Sequence, residues 1–219
     1  KGGCTITMND RSALTWCRTV EREKVTATLL VPSMLYRLLE VPETRDFDLS
    51  SLQTIYYGAS PMSPAKLKLL RARFGDIFVQ LYASSEHPGA VTVMGKADHL
   101  PGPGGDETHL AAAGRVVPGV ELLVVDGDGR PVPDGQDGEI WMRSRAICLG
   151  YLHAPDKTAA EFCDGYWKSG DFGRIDASGY VYVLDRVKDT IRCHHRNVYP
   201  SHVESALSAH PCVSMAAVV

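Results

Sequence analysis

An α/β fold, with a parallel-sheet segment followed by a β-rich hairpin subdomain, is what three features of the sequence predict. Helix-like and strand-like runs alternate up to Glu86, the order that builds a mainly parallel sheet. Beyond Glu86 the texture changes to short strands separated by Gly, Asp and Pro turns. The third feature is the stretch 166–189, where Y-W-K-S-G-D leads through a turn into L-D-R-V-K-D, a hairpin with a charged residue at each outer end.

Each element has a local reason. Asp10-Arg11-Ser12 precedes apolar positions Leu14, Trp16, Cys17 and Val20, a helix pattern with Asp10 or Ser12 as N-cap. Residues 25–31 read as a short buried strand ended by Pro32, and 34–39 as a helix. A strand at 54–57 stops at Gly58-Ala59-Ser60-Pro61; a helix over 65–74 and a strand at 77–82 follow. The segment 95–113 contains Pro101-Gly102-Pro103-Gly104-Gly105 and reads as a mobile loop or lid. Strands at Val120–Val125 and 138–143 flank the turn Asp126-Gly127-Asp128-Gly129. After Tyr199-Pro200 a helix covers 201–207, and 216–219 reads as the start of a strand. A boundary near Lys188 divides 1–187 from 188–219, because a β-rich unit ends there and a new αβ unit begins.

Composition narrows the function classes. The 219 residues are 44% hydrophobic and 22% charged, with net charge −3, an ordinary globular balance with no basic stripe for nucleic acid. No apolar run is long enough for a membrane span and no signal pattern opens the chain, so the expected location is cytoplasmic. The six cysteines include no C-x-x-C pair, which argues against a zinc knuckle and for mostly buried thiols. His194 and His195 beside Cys193 diverge too much as chain neighbours to suggest a metal site. The chain starts without methionine and ends in an apolar run, so both ends look cut. Nothing in the residues fixes an oligomeric state.

Ligands of parallel sheets gather at the carboxyl ends of strands. Two segments end that way. Gly58, Ala59 and Ser60 let backbone approach a planar ring closely; Tyr82, Ser85 and Glu86 offer an aromatic face, a hydroxyl and a carboxylate, a set that suits a nucleotide with magnesium. In the hairpin, the Asp171 carboxylate can accept from a ribose diol and the Arg186 fork can donate beside it. Each residue also has a plain reading: Tyr82 as core, Glu86 as a surface charge, Asp171 as a turn residue, Arg186 as a solvated strand end. Tyr56, Tyr57, Val91 and Met94 are candidates for an acyl pocket or for core.

Six motifs in order, Y-Y-G-A-S-P, L-Y-A-S-S-E, G-E-I-W-M-R with L-G-Y, Y-W-K-S-G-D, D-R-V-K-D-T-I and N-V-Y-P-S-H-V-E, carry a resemblance that covers nearly the whole chain. The chain resembles the adenylate-forming superfamily of acyl-CoA synthetases, nonribosomal-peptide adenylation domains and firefly-type luciferases, and is most similar to the bacterial fatty-acyl-CoA synthetase branch. The resemblance implies the C-terminal part of a large AMP-binding domain and, from Lys188, the start of a small α+β C-terminal domain. It implies ATP and AMP as ligands, with Gly58, Ala59 and Ser60 lining the adenine pocket, Tyr82 stacking on the base and Ser85 touching the α-phosphate. Glu86 would hold Mg2+, Asp171 the ribose hydroxyls, and Arg186 the ribose or phosphate; Lys188 falls on the hinge about which the small domain rotates. The implied reaction activates a carboxylic acid as acyl-adenylate and passes it to coenzyme A or to a carrier-protein thiol; a non-catalytic nucleotide-binding remnant is the alternative of another class.

Departures from the pattern qualify this. The family's phosphate loop is expected before Lys1 and its C-terminal lysine beyond Val219, so the isolated chain is expected not to form an adenylate. Ala83 and Ser85 replace the usual glycine and threonine. His195, with His194, stands where the family has small residues ahead of N-V-Y-P; an imidazole there either obstructs the pantetheine path or is tolerated.

Overall fold

The computed structural model describes residues 2–193, 196–208, 210, 212, 213 and 216–218. In chain order its elements are α1 (Ala13–Glu23), β1 (Ala27–Leu30), α2 (Pro32–Glu40), β2 (Thr54–Gly58), α3 (Pro64–Phe74), β3 (Phe78–Tyr82), β4 (Thr92–Met94), β5 (Gly114–Val116), β6 (Val120–Val125) and β7 (Gly138–Ser144). They continue with α4 (Pro155–Glu161), β8 (Phe162–Cys163), β9 (Tyr166–Ile175), β10 (Tyr180–Arg186), β11 (Ile191–Cys193), β12 (Arg196–Val198) and α5 (Pro200–Ser208).

Local signals place the helices. Ser12 caps α1, its hydroxyl accepting from the Thr15 N–H at 3.3 Å, and α2, α3 and α5 each begin on a proline, whose missing N–H costs nothing at a first turn. Trp16, Cys17 and Val20 of α1, Leu35 and Leu38 of α2 and Leu67 and Leu70 of α3 pack with Ile55, Tyr57 and Phe78 on one face of the sheet.

β1, β2 and β3 are parallel, as the alternation of helices and strands requires. Among the described residues ten strands form one sheet, in the order β1-β2-β3-β4-β5-β10-β9-β7-β6, with β8 paired to β9. The hairpins are therefore not a separate sheet. β4 runs antiparallel to β3, β5 to β4 and β10 to β5, so the antiparallel half extends the parallel one edge to edge. A second cluster around Val91, Ile140, Met142, Trp167 and Val181 fills that half, and β11 and β12 pair apart from the main sheet.

Four expectations are corrected. β1 is an edge strand with Leu29 68% exposed, because no described element covers that face. Segment 95–113 is pinned instead of free: short 3-10 turns carry fully buried His99 and buried Leu110 into the core. Residues 216–218 hold no strand. Cys17 alone among the cysteines is buried, which pushes its thiol up to about 11; Cys4, Cys193 and Cys212 are exposed. No helix among the described residues is long and apolar enough to cross a membrane.

His99 explains how segment 95–113 is held. Its Nδ1 lies 2.7 Å from the Gly95 carbonyl, an acceptor only, so Nδ1 carries the proton and Nε2 is an acceptor facing the Tyr57 hydroxyl at 2.9 Å, whose one proton also has Gln80 Oε1 within 3.0 Å. Burial lowers the imidazole below its ordinary 6.5 and keeps the folded state neutral. Unfolded chains then bind more protons than folded ones below that value, so stability falls as the pH drops through and below 6.5. We expect urea midpoints to decline from pH 7 to pH 5, and the decline to be shallower in His99→Gln; parallel slopes in the two proteins would remove His99 from the account.

Candidate functional site

The carboxyl ends of β2 and β3 and the hairpin β9–β10 enclose a cleft of ≈ 1060 Å³. Gly58, Ala59, Ser60, Tyr82, Ser85, Glu86, Asp171, Arg186 and Lys188, the residues singled out from sequence, all line it. His194 and His195 lie outside the described residues. Tyr56, Tyr57, Val91 and Met94 do not line the cleft: the last three are fully buried and serve the core, while Tyr56 is exposed outside it.

On the floor, Gly58 ends β2 against β3 so closely that a Cβ there would lie 2.2 Å from the Leu81 carbonyl oxygen. Ala59 follows with φ +67°, a left-handed conformation that costs an alanine about 1–2 kcal/mol and turns the backbone into the cleft.

Asp171 is placed by an irregularity in β9. Pairing with β7 steps from Glu139–Phe172 to Trp141–Lys168, so 169–171 is the bulged stretch, and Gly170 takes φ +67° within it. The Ser169 hydroxyl donates to the Ile140 carbonyl at 2.7 Å and accepts from the Asp171 N–H at 3.0 Å. Across the hairpin Arg186 pairs in register with Asp171, and its Nε lies 2.9 Å from Oδ1; the Tyr82 hydroxyl donates to Oδ2. Burial nonetheless outweighs both partners and pushes the Asp171 carboxyl above its ordinary value. Burial, then the neighbouring Asp171 charge, pushes the Tyr82 phenol far up as well, so it stays a donor.

Sequence reasoning missed another wall. Tyr151, Lys157, Glu161, Trp167 and Lys168 also line the cleft. The Tyr151 hydroxyl meets Glu86 Oε1 at 2.8 Å and Glu161 Oε2 at 2.5 Å, and the Trp167 Nε1–H donates to it at 3.2 Å. L-G-Y and Y-W-K were legible as motifs, but their partners are distant in the chain.

Beyond Arg186 the chain turns, the N–H groups of Asp189 and Thr190 both returning to the Arg186 carbonyl, with exposed Lys188 between. The next helix is docked: the Ser201 N–H donates to Asp185 Oδ2 at 3.0 Å, its hydroxyl donates to the Leu184 carbonyl, and Tyr199 stacks on Phe172 at 5.7 Å.

Comparison with protein families matches residues 1–152 to the AMP-binding enzymes. The chain belongs to that family. A medium/long-chain fatty-acid–CoA ligase of Mycobacterium tuberculosis is 41% identical over all 219 residues, which span 37% of that protein. A fatty acid–[acyl-carrier-protein] ligase of Streptomyces coeruleorubidus is 37% identical over 89% of the chain and 37% of its own length. The solved o-succinylbenzoate CoA synthetase of Bacillus subtilis, in complex with its acyl-adenylate intermediate, superposes with a TM-score of 0.80 at 28% identity, over 94% of this chain and 40% of that one. The chain therefore spans roughly two-fifths of the AMP-binding relatives it matches.

The close approach at Gly58 yields a test of the floor. Gly58→Ala forces β2 and β3 apart and should destabilise by about 1–3 kcal/mol, read as a lower urea midpoint at unchanged slope. An unchanged midpoint would show that the two strands can separate without loss.

Proposed function

We propose that this chain is the nucleotide-holding and hinge portion of an ATP-dependent acid–thiol ligase, which activates a carboxylic acid, fatty or aryl, as acyl-adenylate and transfers the acyl group to coenzyme A. The observation that carries the reading is the convergence of Tyr82, Asp171 and Arg186, from both halves of the sheet, on one cleft that also holds Ser85 and Glu86.

The chain's own groups have separable tasks in this reading. The backbone at Gly58, Ala59 and Ser60 edges the adenine while the Tyr82 ring, held by its hydroxyl on Asp171, stacks on the base. Each carboxylate oxygen has room for a second hydrogen bond, so Asp171 accepts from the ribose diol without releasing Tyr82 or Arg186. Ser85 donates to the α-phosphate. Glu86 fits a hard divalent cation, since its Oε2 takes no hydrogen bond from a described residue. Mg2+ held there would offset the charge that develops as pyrophosphate leaves.

In the first half-reaction an acid carboxylate oxygen bonds to the α-phosphorus and the bond to pyrophosphate breaks. In the second a thiolate sulfur bonds to the acyl carbon and AMP departs. Positioning and charge neutralisation are the protein's contribution. Lys188 is the pivot between the unit 1–187 and the unit 188–219, and rotation there would undo the Ser201 and Tyr199 contacts. A carrier-protein thiol as acceptor is the second reading, supported by the 37% identity to the acyl-carrier-protein ligase.

Calorimetric titration of the chain with AMP and with Mg2+-ATP, beside Asp171→Ala, tests the assignment. We expect binding that weakens at least about tenfold in the variant, as loss of charged hydrogen bonds to a diol requires. A folded chain that binds neither nucleotide, or a variant that binds as the parent does, overturns it.

A further inference from the structure

Tyr151 has no task in the reaction as described, yet its hydroxyl sits among three cleft groups. A phenol carries one proton and two lone pairs. The Trp167 N–H fills a lone pair, and the one proton serves either Glu86 or Glu161.

The Cys148 N–H donates to the Glu86 carbonyl at 2.8 Å and ties the two loops together, and Tyr151 has anchors of its own beyond that link. Its backbone N–H donates to Thr158 Oγ1 of α4 at 2.9 Å, and the preceding residue must be glycine, since a Cβ at Gly150 would lie 2.6 Å from Thr158 Cγ2. Its ring packs edge-on to Phe162 with centroids 6.1 Å apart, and Lys157 Nζ lies 3.8 Å from its centroid. Glu86, by contrast, lies between β3 and β4 in a segment without regular structure, and its carboxylate has no other hydrogen bond among the described residues. Charge separates the two acids further. Lys157 lies 3.7 Å from Glu161, whereas no described cation pairs with Glu86, whose charge stays uncompensated.

We propose that Tyr151 is the positioning residue for Glu86: it holds Oε1 from a ring anchored by α4 and Trp167, so that Oε2 is presented to a divalent cation on the nucleotide phosphates. This rests on the reading of Glu86 as the cation-holding carboxylate. A hydrogen-bond partner of this kind orients its ligand, and its loss typically costs about 10–100-fold in metal affinity.

The test compares the chain with Tyr151→Phe and Glu86→Gln, titrating metal-free AMP, then ATP at rising Mg2+, with Tm recorded for each. Phenylalanine keeps the ring and its packing but leaves the Trp167 N–H without its acceptor, so we expect a modest fall in Tm, unchanged metal-free AMP binding, and a half-saturating Mg2+ concentration raised about tenfold. Equal Mg2+ dependence in Tyr151→Phe and the parent overturns the proposal, and so does a parallel loss of AMP binding, Mg2+-ATP binding and Tm, which marks a structural role. Glu86→Gln separates the two levels. If it abolishes the Mg2+ dependence while Tyr151→Phe leaves it as in the parent, only the positioning role falls; if it leaves that dependence intact, the assignment of Glu86 falls and the proposal with it.

Discussion

Asp171 is a buried carboxylate with one oxygen taken by a phenol from the parallel half of the sheet and the other by a guanidinium from the hairpin edge. Burying a charge is unfavourable unless hydrogen bonds answer it, so the fold at this point must supply both partners together. That condition fixes much else. The bulge at 169–171 aims the side chain inward, the in-register hairpin brings Arg186 opposite, and β4 and β5 carry β10 across to within reach of β3. In the proposed reading a nucleotide meets a carboxylate whose geometry is already set, which lowers the ordering cost of binding.

The division of labour in the sheet follows from what covers it. Helices α1, α2 and α3 lie over one face of β2 and β3 and bury Ile55, Tyr57 and Phe78, so that face of the parallel half is closed, while the strand ends open on the cleft. The antiparallel half carries its own small core around Ile140, Met142 and Trp167, and Trp167 serves twice, filling that core and donating to Tyr151 at the cleft wall.

How far the sequence could be read depended on the range of the interactions. Prolines and glycines at 32, 58, 64 and 75 punctuate the chain locally, and the elements between them fall where the pattern puts them. The strand ends bearing Gly58 and Glu86 were legible for the same reason, and the hairpin bearing Asp171 and Arg186 because its turn, Asp176 to Gly179, is contiguous. Pairing of β5 with β10 was not, since it joins segments more than sixty residues apart and leaves no periodic trace in either. Apolar character likewise could not separate core from pocket at Tyr57 or Met94, nor tell that Leu29 lies on an uncovered face. Tyr151 escaped because its contact to Glu86 spans 65 positions, while the glycine before it is explained only by Thr158 of a helix that follows.

The unbroken ladder from β3 through β4, β5 and β10 to β9 has a mechanical meaning for the cleft. Its two flanks, one bearing Tyr82 and the other Asp171, belong to a single plate, and spreading them would tear inter-strand hydrogen bonds at every step between. The gap between those flanks is thus set by the sheet, like that of a fixed caliper, and in the proposed reading it is the width offered to a purine and ribose. The 83–91 turn, the L-G-Y loop with α4 and the docked helix after Lys188 stand at the rim of that plate, and in the proposed reading they are the parts free to adapt to a ligand.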